Sequence, residues 1–102
     1  MTLIEIKDKY ISVSGHSGYA PIGSDIVCSA ISTLIQATYN YLEAVGNELD
    51  IESSDGYLKV IFKSELNRAG DDIVNCFITM AKDLESQYEK YIKVEGDIIW
   101  KY

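Results

Sequence analysis

Apolar residues recur at every second position early in the chain and at every third or fourth position in two longer stretches. That change of period marks out the elements. Residues 3–7 set Ile4 and Ile6 about Glu5, and residues 10–14 set Ile11 and Val13 about Ser12, the alternation of two half-buried strands around the polar turn Asp8-Lys9. From about 25 to 45, Val27, Ile31, Leu34, Tyr41, Leu42 and Val45 follow helical spacing, and Gly46-Asn47 suits a left-handed cap. Cys28, Ser32, Ile35 and Tyr39 form an adjacent strip on the same helix.

A hairpin follows. Leu49 and Ile51 alternate on one arm and Leu58, Val60 and Phe62 on the other, with Asp55-Gly56 as a two-residue turn. Tyr57 and Ile61 then project from the opposite sheet face, which something should cover. The second helix is expected from 67 or 71 to about 89, with a stripe of Ile73, Phe77, Met80, Leu84 and Tyr88 and with Cys76 packed into the core. Residues 91–95 alternate as a strand; Gly96-Asp97 bends the chain before an apolar tail, Ile98-Ile99-Trp100, expected as an edge strand. The order ββαββα, with a C-terminal strand able to extend it, predicts an α+β fold. It is a two-layer sandwich, an antiparallel sheet with two helices on one face.

A length of 102 residues and 47% hydrophobic content make residues 1–102 one domain with a single core. No apolar run is long enough to span a bilayer, and charges interrupt the N-terminus at once, so neither a membrane nor a signal peptide is expected and the protein should be cytoplasmic. Two cysteines in such a chain are not expected to form a disulfide, and one histidine with two scattered cysteines gives no metal spacing, so neither metal nor cofactor is expected. A net charge of −7 argues against direct nucleic-acid binding and is compatible with a basic protein partner. Eight tyrosines, the small size and the uncovered sheet face point to a homodimer.

The candidate chemistry lies in residues 15–32. Three glycines and the only proline fall in the first nine positions, a loop, and Ser24 or Asp25 can cap the helix that follows. Cys28 then sits in the first turn or just past it, where unsatisfied N–H groups carry about half a positive charge and favour a thiolate. The only histidine, His16, stands at a strand end twelve residues upstream, and the loop can bring its imidazole to the sulfur. A free helical cysteine is most often a small buried hydrophobe, and a loop histidine most often a surface residue. Their pairing across one loop raises the alternative: cysteine as nucleophile with histidine as base, the minimum for acyl transfer. Free N–H groups of the first turn, that of Cys28 included, would meet the oxyanion. Asp25 could cap the helix or orient His16, and Ser32 could bond Asp25 or its local backbone. The loop, with Gly15, Ser17, Gly18, Tyr19 and Gly23, reads as a substrate-holding segment or an ordinary connector.

Gly15-His16, a glycine-bearing loop, Asp25-Ile26-Val27-Cys28 and Ser32 one turn on resemble the signature of the ribosomal-processing cysteine protease (Prp) family. The resemblance extends in length and order of elements over nearly the whole chain. It implies that Cys28 is the nucleophile and His16 its partner, in a dimeric enzyme that removes the N-terminal extension of a bacterial large-subunit ribosomal protein. Asp25 and Ser32 match family positions of less clear role, and Pro21 and Ile22 depart from the pattern, which leaves substrate preference open. Two alternatives stand beside this reading: a phage or prophage relative that processes capsid or scaffold protein, and a non-enzymatic, ribosome-associated binding module.

Overall fold

A computed structural model of the chain describes residues 1–21 and 25–98. Five strands and two helices follow in the order β1 (Thr2–Ile6), β2 (Tyr10–Ser14), α1 (Ile26–Ala44), β3 (Leu49–Ser54), β4 (Tyr57–Phe62), α2 (Arg68–Gln87) and β5 (Ile92–Glu95). The sheet order is β3-β4-β2-β1-β5. β1–β2, β2–β4 and β3–β4 pair antiparallel, whereas β5 lies parallel to β1, so the α+β sheet is mixed. The reason is the crossover. α2 carries the chain back from the end of β4 to the side where β4 began, and the next strand must then run the same way as β4 and β1.

Both helices cover one face. Ile4, Ile6, Ile11, Val60, Phe62 and Ile92 from the sheet meet Val27, Ile31, Ile35 and Leu42 of α1 and Val74, Phe77, Ile78 and Ala81 of α2. Each of these side chains larger than alanine contributes about 1.5–3 kcal/mol when fully removed from water. The register makes this possible: Ile4 pairs with Val13, Ile6 with Ile11, and Ile11 with Val60, so the apolar set shares one side. On the other side Lys59 Nζ lies 4.2 Å over the Tyr10 ring.

The helix faces are rotated from the expected stripes. In α1, Ile35 and Thr38 are buried and Tyr41 is exposed; in α2, Val74, Ile78 and Ala81 are buried while Met80 and Cys76 are exposed. At about 100° per residue, Cys76 points some 200° away from Val74, so it cannot share the core face. The expected core role of Cys76 is therefore wrong.

α1 ends as its sequence implies. Gly46 takes a φ of 96°, its N–H donates to Glu43 O, and the Asn47 N–H reaches back to Leu42 O. The Asn47 side chain then ties this end to the Asn67 cap of α2, donating to Asn67 Oδ1 at 3.1 Å and accepting the Asn67 N–H at 3.0 Å. Of the expected tail strand, Ile98 lies in no strand and packs against the core, and Ile99 and Trp100 lie outside the described residues.

Candidate active site

The end of β2 and the start of α1 place the two candidate side chains. β2 ends at Ser14, but its pairing continues for one residue, because the Gly15 N–H donates to Gly56 O at 2.8 Å. His16 follows directly, at the end of a held strand. Twelve residues on, Cys28 occupies the third position of α1. The N-cap is Asp25, in extended conformation, and its Oδ1 accepts the N–H groups of Val27 and Cys28 at 2.9 Å each. Ser24, the other candidate cap, lies outside the described residues.

The loop is tied to that cap. The buried Ser17 hydroxyl donates a short hydrogen bond to Asp25 Oδ2, and Ser17 Oγ accepts the Tyr19 N–H at 3.2 Å. The Ser17 N–H itself points at the Cys28 sulfur, 3.4 Å away. Tyr19 packs edge-on against Tyr88 and Tyr91, with ring centres 5.7 and 5.3 Å apart. The first part of the loop is thus fastened at both Ser17 and Tyr19, despite its small-residue composition.

Burial of Asp25 works to raise its carboxyl. The Ser17 hydroxyl, the Cys28 N–H and thiol and the Ala20 N–H outweigh it, and the group falls from 3.8 to about 2. Because the folded value is depressed, the stabilisation from Asp25 is full above about pH 4 and is lost as pH falls toward 2. In a series of urea unfolding curves between pH 5 and about 2, Asp25→Asn should flatten the acid loss relative to the parent protein. Parallel acid limbs in the two proteins would refute that assignment.

His16, Gly18, Asp25, Cys28 and Ser32 line one cleft of about 390 Å³, together with Ala20, Ser29 and Thr33. An adjoining cleft of about 260 Å³ is also bordered by Gly15, His16, Cys28 and Ser32, with apolar walls from Val13, Ile31, Ile35 and Leu58. A larger cavity of about 480 Å³ is lined by Lys9, Phe62 and Leu66 among others, beyond the start of β2 and so away from the sulfur.

The side chain of His16 is half exposed, and its Nε2 stands 3.9 Å from Asp55 Oδ1. Asp25 makes its bonds to Ser17, Val27 and Cys28. Ser32 bonds neither Asp25 nor the preceding turn; its Oγ accepts Gln36 Nε2 at 2.8 Å. The Cys28 N–H is held by the cap, so the expectation that it meets an oxyanion fails. Ser17, Gly18 and Tyr19 thus part company: Ser17 touches the sulfur, Gly18 lines the cleft and Tyr19 turns to α2 and β5. Gly23 lies outside the described residues. Asp55 and Gly56 were not anticipated beside His16. The signal for them was the pairing of β2 with β4, which sets the hairpin tip next to the strand end. Among the described residues no group of three His, Cys, Asp or Glu side chains is placed to hold a metal, and no helix is long and apolar enough to cross a membrane.

The fold is that of several solved structures. The essential ribosomal processing protease Prp from S. aureus in complex with a covalently linked product peptide is 20% identical, with a TM-score of 0.82 over 92% of this chain and 95% of that one. The same protease with a substrate peptide gives 19% identity and a TM-score of 0.76, with the same coverage of each chain. SMU.848 from Streptococcus mutans gives 21% and 0.71, over 92% of this chain and 90% of that one. No curated protein matches the sequence. The family model of cysteine protease Prp matches residues 1–93, and the chain belongs to that family.

Proposed function

We propose that this protein is a cysteine endopeptidase that removes the N-terminal extension of a bacterial large-subunit ribosomal protein, with Cys28 as nucleophile and His16 as its base. The observation that carries this reading is the meeting of the two side chains on one cleft, with a backbone N–H aimed at the sulfur. His16 takes the thiol proton, the sulfur attacks the scissile carbonyl, and the tetrahedral intermediate collapses as the C–N bond breaks. His16 returns the proton to the leaving amine, and water then hydrolyses the thioester to free the thiol and the new C-terminus. With the Cys28 N–H engaged by Asp25, the Ser17 N–H, which points at the sulfur from 3.4 Å, is the oxyanion donor in this reading. S. aureus Prp has been captured with a covalently linked product peptide, which is the chemistry a thiolate nucleophile would give here.

The net charge of −7 suits a basic ribosomal-protein precursor and not nucleic acid. A cytoplasmic homodimer is part of the same reading, supported by the small core and by Tyr57 and Ile61 on the sheet face that the helices leave open. A phage-protein substrate would use identical chemistry, and precursor tests with peptide mass as readout separate the two.

A binding module without catalysis is separated by alkylation. Cys76 is exposed and Cys28 only partly so, which means access alone favours Cys76. Near neutral pH, iodoacetamide should nonetheless label Cys28 at least about tenfold faster, as located by peptide mass. Preferential labelling of Cys76 would remove the activated nucleophile.

A further inference from the structure

We propose that the β3–β4 turn, Asp55-Gly56, is the positioning element of the His16 imidazole. The inference rests on reading His16 as the base for Cys28. Three contacts join the turn to His16 and to the residue before it. Gly56 O accepts the Gly15 N–H at 2.8 Å, fixing the backbone one residue before the histidine. A Cβ built on Gly56 would stand 3.1 Å from His16 Nε2, 3.5 Å from Cδ2 and 3.7 Å from Cε1, so the edge of the ring lies directly over the bare glycine. Asp55 Oδ1 is 3.9 Å from the same nitrogen, too far for a hydrogen bond but close enough to attract an imidazolium.

The other carboxylate of the cleft is not available for this work. Asp25 is committed to Ser17 and to the first turn of α1. The remaining titratable residues that border clefts with His16 are Cys28 and Tyr57. A base must collect the thiol proton and return it to the amine without losing its orientation, and orientation errors of an ångström are costly in rate. Gly15 and Ser17 are held on either side of His16, but neither carries a side chain large enough to pack on its ring, so the ring must be held from elsewhere. The hold comes from a two-residue turn clamped between the β3–β4 and β2–β4 ladders, which acts as a backstop. Gly56 has a φ of 68°, so the turn also needs glycine for its own shape.

The test compares Gly56→Ala with Gly46→Ala in the full chain. Both place a side chain at positive φ, at 68° and 96°, but a methyl at position 46 meets only Asn67 Nδ2 at 3.9 Å. Because the chain has one histidine, its ring protons give unambiguous NMR signals. Gly56→Ala should move those signals, weaken the ring-to-56 NOE, and lower kcat for precursor cleavage about tenfold or more with KM within about twofold. Gly46→Ala should lose stability with kcat and the ring signals unchanged. If Gly56→Ala fails to fold, Gly56→Asn, whose residue tolerates positive φ better, makes the same comparison. Ring signals and kcat that match those of Gly46→Ala overturn the proposal. Asp55→Asn should slow kcat about two- to threefold at low salt, an effect that added salt removes; an unchanged rate at low salt overturns the part of Asp55. Full cleavage by Cys28→Ala or His16→Ala would defeat the Cys28–His16 reading instead, and the ring signals of the Gly56 variants would still report on the turn.

Discussion

Cys28→Ala should abolish precursor cleavage, with kcat reduced by at least about 10⁴-fold, while the protein stays folded. The fold should survive because the sulfur is only partly buried and the helix cap is made by the Cys28 backbone N–H, which alanine keeps. The bonds lost are the Ser17 N–H to sulfur contact at 3.4 Å and that of the thiol to Asp25, and Ser17 stays anchored through its hydroxyl on Asp25. Circular dichroism and the unfolding midpoint check the fold, and the mass of the released peptide checks the reaction. Undiminished cleavage by the alanine protein would take the nucleophile away from Cys28. Cys28→Ser would add a further distinction, since a hydroxyl of similar size lacks the acidity of a thiol and should be almost as inactive.

Phe77→Ala should cost about 3–5 kcal/mol of stability. Phe77 is 1% exposed and, among the described residues, is the largest of the fully buried side chains, in a core shared by both helices and the sheet. For a domain whose whole stability is about 5–15 kcal/mol, that loss removes a large fraction of the folded margin. Its neighbour Cys76 faces solvent, and Cys76→Ser should change stability by no more than about 0.5 kcal/mol. Urea midpoints of the two variants read the contrast directly. Equal shifts would mean that the α2 face has been assigned wrongly.

These neighbours also show where sequence pattern runs short. The ends of the elements were legible, because caps and turns are local chemistry: Asp25 before α1, Gly46 after it and Asp55-Gly56 within the hairpin all stand where their residue types demand. The faces were less so. Met80 and Cys76 fit an apolar stripe as well as Val74 and Ile78 do, and only the packing of α2 on α1 and β5 decides between the alternatives. The parallel pairing of β5 with β1 depends on where the α2 crossover lands, which no local motif encodes. At the site, the loop between His16 and Cys28 was visible as a loop. Its fastening through Ser17 on Asp25 was not, since a serine eight residues before an aspartate carries no pattern of its own. Asp55 and Gly56 come to His16 from 39 and 40 residues away, through a strand pairing instead of a motif.

The clasp of Tyr19 between Tyr88 and Tyr91 has a consequence for the order of assembly. Both partners lie at the junction of α2 with β5, some seventy residues downstream, and β5 pairs with the very first strand. A chain emerging from the ribosome can therefore build its thiol-bearing helix, its hairpin and the Ser17–Asp25 tie long before anything exists to fasten the loop at Tyr19. The tyrosine fastening of the loop is therefore absent from the growing polypeptide until synthesis has passed residue 91.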